Sequence, residues 1–219
     1  MMMLSNPRRT VLSGWLKQNQ PRDFSSDLKL QKFLFFYEVL AKVEDDDYDF
    51  HSLKGYINGP VFSDVYGDCT YRKDMFIQYV EESYALRRDA EVNEERAKLM
   101  GFLVSILTEE ELSELTHEFS IWNSKEVQIR GGAMHLPLDE SDFTEADEDL
   151  ILRLRDMYTL DYINSVDIQW VRGKCFIIPK EQSSQLTSEH NAILREIATR
   201  GDVINPVYIT LEDGVLLVD

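Results

Sequence analysis

The 219-residue chain carries 40 acidic and 23 basic residues, for a formal net charge of −17, with 43% hydrophobic and 29% charged residues. Such a surface repels phosphate backbones and anionic lipid headgroups and attracts basic proteins, so direct nucleic-acid and membrane binding are disfavoured. The longest apolar run, Phe33–Tyr37, is far too short to span a bilayer, and no apolar stretch follows Arg8 and Arg9, so neither an anchor nor a secretory signal is expected.

Val11, Leu12, Trp15 and Leu16 predict a short amphipathic helix over Pro7–Gln20. Pro21 and Asp23 then punctuate the chain. Within Ser26–Val43, Leu30, Phe33, Leu34, Tyr37, Leu40 and Ala41 fall at the spacing of one helix face, and Phe35, Phe36 and Val39 fill much of the other. A helix apolar on most of its circumference must be covered on several sides, so this is the expected central helix, capped by Ser26 or Asp27. The acidic run Glu44–Asp49 is expected as a solvated loop; it lacks the Gly and Glu of a calcium-binding EF-hand loop. Phe50–Ile57 is expected to be extended, Asn58-Gly59-Pro60 to turn, and Val61–Tyr66 to open a helix. Tyr71–Ala97 and Leu99–Ile106 have helical periodicity. Thr108 and Glu111 form a capping box for a helix carrying Leu112, Leu115 and Phe119. Arg130–Leu138 is expected as a loop, and Thr144 as the cap of a helix carrying Leu150, Ile151, Leu154, Met157 and Tyr158.

The period changes after Tyr162. Val166, Ile168 and Trp170 alternate with polar residues, and Arg172-Gly173 can turn the chain into Lys174–Ile178. A helix through Leu186–Ile197 follows, then Val207–Leu211 and Val215–Val218 around Asp213-Gly214, a strong hairpin signal. The expected fold class is α+β: a mainly helical N-terminal domain over residues 1–162, then a β-hairpin, helix, β-hairpin extension over residues 163–219.

His51, His117, His135 and His190 are scattered, with no HExxH. Cys69 and Cys175 form no CxxC and lack a nucleophile signature; two free thiols in a reducing cytoplasm are expected. No cofactor, metal site or catalytic group is predicted. His117 reads first as a structural histidine bonding a carbonyl or carboxylate between helices, with a partner contact as the alternative. Trp122 reads as packing before interface hot spot.

Three landmarks together resemble the Panacea antitoxin-domain family of bacteria and phages. Lys29–Phe36 reads KLQKFLFF, where that family's first helix resembles KLQKLLYF. Asn58-Gly59-Pro60-Val61 leading to Tyr66 is similar to its YGPV followed by an aromatic, with Asn58 replacing the usual aromatic. Leu112-Ser113-Glu114-Leu115-Thr116-His117 with Trp122 matches L-S-x-L-T-H-x-x-x-x-W. The resemblance covers residues 1–162 and leaves the tail aside. It implies a cytoplasmic helical protein, not an enzyme, that neutralises a cognate toxin by direct contact. It also brings an alternative, an adaptor that delivers a partner to a protease; the acidity separately suggests a phage inhibitor of a host nucleic-acid enzyme. The implied partner-binding residues are Tyr56, Gly59, Pro60, Tyr66, His117 and Trp122.

Overall fold

A computed structural model describes residues 3–218. The chain opens with α1 (Pro7–Asn19), capped by the Asn6 side chain, and a single turn, α2 (Pro21–Phe24). The central helix is α3 (Asp27–Val43), with Ser26 as N-cap accepting from the Lys29 backbone N–H. Strands β1 (Leu53–Tyr56) and β2 (Gly59–Phe62) form a hairpin; α4 (Ser63–Tyr71), α5 (Lys73–Glu91) and α6 (Glu94–Ile106) follow. Next come α7 (Glu109–His117), α8 (Ser120–Asn123), α9 (Glu126–Arg130) and the two-residue β3 (Leu136–Pro137). Helices α10 (Glu145–Asp156) and α11 (Leu160–Ser165) lead into β4 (Val166–Val171) and β5 (Lys174–Pro179). The chain finishes with α12 (Lys180–Ser183), α13 (Ser188–Ile197), β6 (Val207–Glu212) and β7 (Val215–Val218). The fold is α+β, with helices dominating the N-terminal part and strands concentrated in the tail.

Every residue of α3 from Lys29 to Ala41 is buried. Phe33 stacks on Trp15 of α1 at 5.5 Å, and Phe35 meets Phe119 edge-on at 5.2 Å. Each such buried aromatic contributes about 1.5–3 kcal/mol. Burial also traps polar side chains, and α3 provides for each of them. The Glu38 carboxylate accepts from Arg8 Nε at 2.7 Å and from the Asp49 backbone N–H at 3.1 Å. Gln31 Oε1 accepts from the Phe62 N–H at 2.8 Å. Lys29 Nζ donates to Asp23 Oδ1 at 2.8 Å and to the Val104 carbonyl at 2.9 Å.

Several boundaries differ from expectation. Helix α7 ends at His117 and leaves Phe119 at the N-cap of α8, Leu136–Pro137 of the expected loop is strand, and α10 ends at Asp156, before Met157 and Tyr158. Gly59–Phe62 is strand, paired antiparallel with Leu53–Tyr56, so the helix expected from Val61 starts at Ser63. Pro60 is tolerated because β2 is an edge of the β2-β1-β3 sheet and needs no N–H there. The long helix expected to reach Ala97 breaks after Glu91, where the Asn93 side chain accepts from the Arg96 N–H and starts α6. The capping box at Thr108 forms as expected, with Glu111 returning to the Thr108 N–H at 2.7 Å. Glu44–Asp49 is a loop; Glu44 and Asp46 engage Arg96, and Asp49 pairs with Arg9.

The tail folds as one sheet, β4-β5-β6-β7, because β5 and β6 pair in parallel and join the two hairpins. Both hairpin turns use positive-φ pairs, Arg172-Gly173 and Asp213-Gly214. The sheet packs on the helices. Val166, Cys175 and Ile177 share a cluster with Phe102 and Ile106 of α6. Trp170 lies under Lys29 Nζ and the Arg22 guanidinium, 4.9 and 5.0 Å from its ring centre, and its Nε1 donates to the Ser105 carbonyl at 2.9 Å. Asn205 Nδ2 donates to the Ile106 carbonyl at 2.9 Å and to Glu111 Oε2 at 2.7 Å.

Candidate functional site around the β1–β2 hairpin

The three sequence landmarks meet at the β1–β2 hairpin. Its turn consists of Ile57 and Asn58, after which Gly59 takes φ +103°, a region open to glycine and costly for residues with a Cβ. Lys32 of α3 rises beneath this turn and donates to the Asn58 carbonyl and, at 2.9 Å, to Thr116 Oγ1 of α7. A Cβ at Gly59 would collide with both Lys32 Nζ and Thr116 Oγ1. Glycine is therefore required twice, by conformation and by space.

The other wall is built by α8. Asp147 of α10 accepts from the Ser120 N–H at 2.5 Å and the Ile121 N–H at 3.3 Å, which holds the start of this short helix. That placement buries Trp122 completely and lets its Nε1 donate to the Tyr56 carbonyl at 2.9 Å. His117 stacks on Trp122 with ring centres 3.8 Å apart and planes 20° from parallel. Its Nε2 is buried and has no hydrogen-bond partner among the described residues. Burial holds the His117 pKa below the usual histidine value, assisted by the positive charges of Lys32 and Arg130. His117 is thus a neutral, stacked side chain at neutral pH.

Tyr56 faces outward. Its hydroxyl pairs with His135 Nδ1 at 2.7 Å, and its ring lies 5.4 Å from that of Tyr66 on α4. Beside it runs a groove of about 340 Å³, lined by Gly55, Tyr56, Ile57, Ile129, Arg130, Met134 and His135. The rim is apolar and open: Ile57 is 55% exposed and Met134 78%. Arg130, paired with Glu126 at 2.7 Å, lies over the Trp122 ring at 5.9 Å.

All six residues implied by the resemblance converge here, in two roles. Gly59, Pro60 and Trp122 are buried and hold the hairpin; Tyr56, Tyr66 and His117 are partly exposed. Sequence reasoning missed Lys32, Thr116 and the groove residues 129–135. The lysines of KLQK were a signal, since a cation inside an otherwise apolar helix surface must reach a partner on another element. Elsewhere, Cys69 and Cys175 are buried free thiols whose pKa values burial pushes up to about 12, which leaves them poor nucleophiles. Among the described residues, no cluster of His, Cys, Asp or Glu is arranged to hold a metal ion, and no helix is long and apolar enough to cross a membrane.

Comparison with protein-family models, curated proteins and solved structures returned no significant match for this chain.

Proposed function

We propose that this protein is an antitoxin-like binding protein of the Panacea type, which neutralises a cognate toxin protein in the cytoplasm by direct contact. One observation carries the proposal. Three motifs separated by up to 84 residues, as between Lys32 and Thr116, are joined by side-chain bonds at one hairpin with an apolar rim. A core alone does not call for such a rim: exposed Ile57 and Met134 beside a groove are the pattern of a protein-docking surface. The net charge of −17 favours a basic partner and speeds encounter with it. Binding of this kind needs no cofactor and no catalytic group.

Co-expression with the product of the adjacent gene tests the proposal. Growth arrest caused by that product alone, relieved when this protein is present, is the expected result, with the two proteins co-purifying. Unrelieved arrest with no complex would overturn it.

A further inference from the structure

We propose that Lys32 is a built-in protonation switch for the β1–β2 hairpin: its neutral amine latches the turn onto α7, and its ammonium form releases it. The switch belongs to the isolated chain and does not depend on any partner.

The lack of a counter-charge, rather than the bonding count, favours the neutral form, since the neutral amine leaves its lone pair unpaired just as the ammonium leaves its third N–H. Lys32 is 1% exposed, and its Nζ has two acceptors, the Asn58 carbonyl and Thr116 Oγ1. A neutral amine has two N–H groups, one for each. Thr116 Oγ1 is free to accept, because its own proton is directed to the Leu112 and Ser113 carbonyls, each at 3.0 Å. An ammonium would add a third N–H with no acceptor, and a buried charge with no carboxylate in ion-pair contact among the described residues. Lys29, one turn earlier on the same helix, shows the contrast: it has Asp23 at 2.8 Å.

Burial alone lowers the Lys32 pKa from 10.5 to about 7, so the proton equilibrates in the physiological range. Among the surrounding titratable groups, His117 is coupled to Lys32, since a positive charge on either one disfavours protonation of the other. His117 of α7 is held below the ordinary histidine value and is neutral at the midpoint, while Tyr56 of β1 is raised above the ordinary tyrosine value by burial. On α9, Arg130 is paired with Glu126. The path of release follows from the packing. The Asn58 carbonyl is part of the exposed turn, whereas Thr116 is fixed in α7, so hydrating a charged Nζ requires the turn to lift. The neighbouring turn residue, Ile57, forms the groove rim, so the same movement alters the exposed apolar surface.

Lysine-selective NMR on the full chain, titrated between about pH 5 and pH 9, reads the protonation state directly. Amide-exchange protection factors in β1 and β2 read the latch, with intrinsic exchange divided out. The expected result is a Lys32 side-chain resonance that titrates near neutrality. Hairpin protection then falls by up to about tenfold per pH unit as pH drops from about 9 toward that midpoint, and levels off below it. The fall should vanish in Lys32→Met and persist in His117→Gln. Three results each overturn the proposal: a Lys32 resonance that stays ammonium throughout, hairpin protection flat with pH, and a pH response that follows His117. The wild-type titration is sufficient if Lys32→Met does not fold.

Discussion

The buried pair between α2 and α3 gives the most quantitative test of the packing. Asp23 and Lys29 are both buried and meet at 2.8 Å; the other Asp23 oxygen accepts from Ser105 Oγ at 2.6 Å, and Lys29 also lies 4.9 Å from the Trp170 ring. Asp23→Asn preserves shape and removes the negative charge. Lys29 then remains as a buried cation without a counter-charge, held by the Val104 carbonyl, the indole face and at best a neutral amide oxygen. Breaking a buried pair in this way costs about 3–5 kcal/mol, whereas replacing both members with apolar groups is often near neutral. The double variant Asp23→Leu, Lys29→Met should therefore recover most of the loss, less about 1 kcal/mol for the missing cation–π contact. Urea unfolding followed by far-ultraviolet circular dichroism and by tryptophan fluorescence reads both numbers. With a slope of about 2–3 kcal/mol per molar urea, the single variant should unfold more than about 1 M earlier. A loss below about 1 kcal/mol, or a double variant as unstable as the single, would refute the coupling described here.

Three further outcomes follow from the same geometry. Gly59→Ala should lower stability by at least about 2 kcal/mol, from the positive φ and from the collision with Lys32 and Thr116, as thermal melting would measure. Lys32→Met should change the pH dependence of stability. A lysine whose folded pKa lies near 7, against 10.5 unfolded, destabilises the fold most below pH 7 and progressively less as pH rises to 10.5. The stability of wild type relative to the variant should thus climb over that window, by up to about 5 kcal/mol, in denaturant titrations at several pH values. Trp170→Ala should loosen the tail from α2, α3 and α6, seen as faster proteolytic cleavage before β4 with the helical core left intact.

The elements that were legible in the sequence were those with a strong local signal. The all-round apolar character of Phe33–Val39 gave the central helix, the Thr108–Glu111 pair gave a capping box, and Arg172-Gly173 and Asp213-Gly214 gave hairpins. What was illegible depended on distant partners. Val61 reads as a helix start until Leu53–Tyr56 pairs with its strand, and nothing local reveals that β5 and β6 run parallel across the intervening α13. The site was half legible. The motif residues were identifiable, but their division into buried supports and exposed contacts was not. That division depends on Asp147 placing α8 and on Lys32 reaching across to Asn58.

The most direct test of the central claim is the dissociation constant of the complex with the adjacent gene's product, measured for wild type, Ile57→Arg and Met134→Arg. Both side chains are exposed, so the variants should fold normally while placing a cation on the apolar rim. Tight wild-type binding, weakened about a hundredfold or more in each variant, is the predicted result. Equal affinity in all three proteins would contradict the assignment of the hairpin groove as the gripping surface.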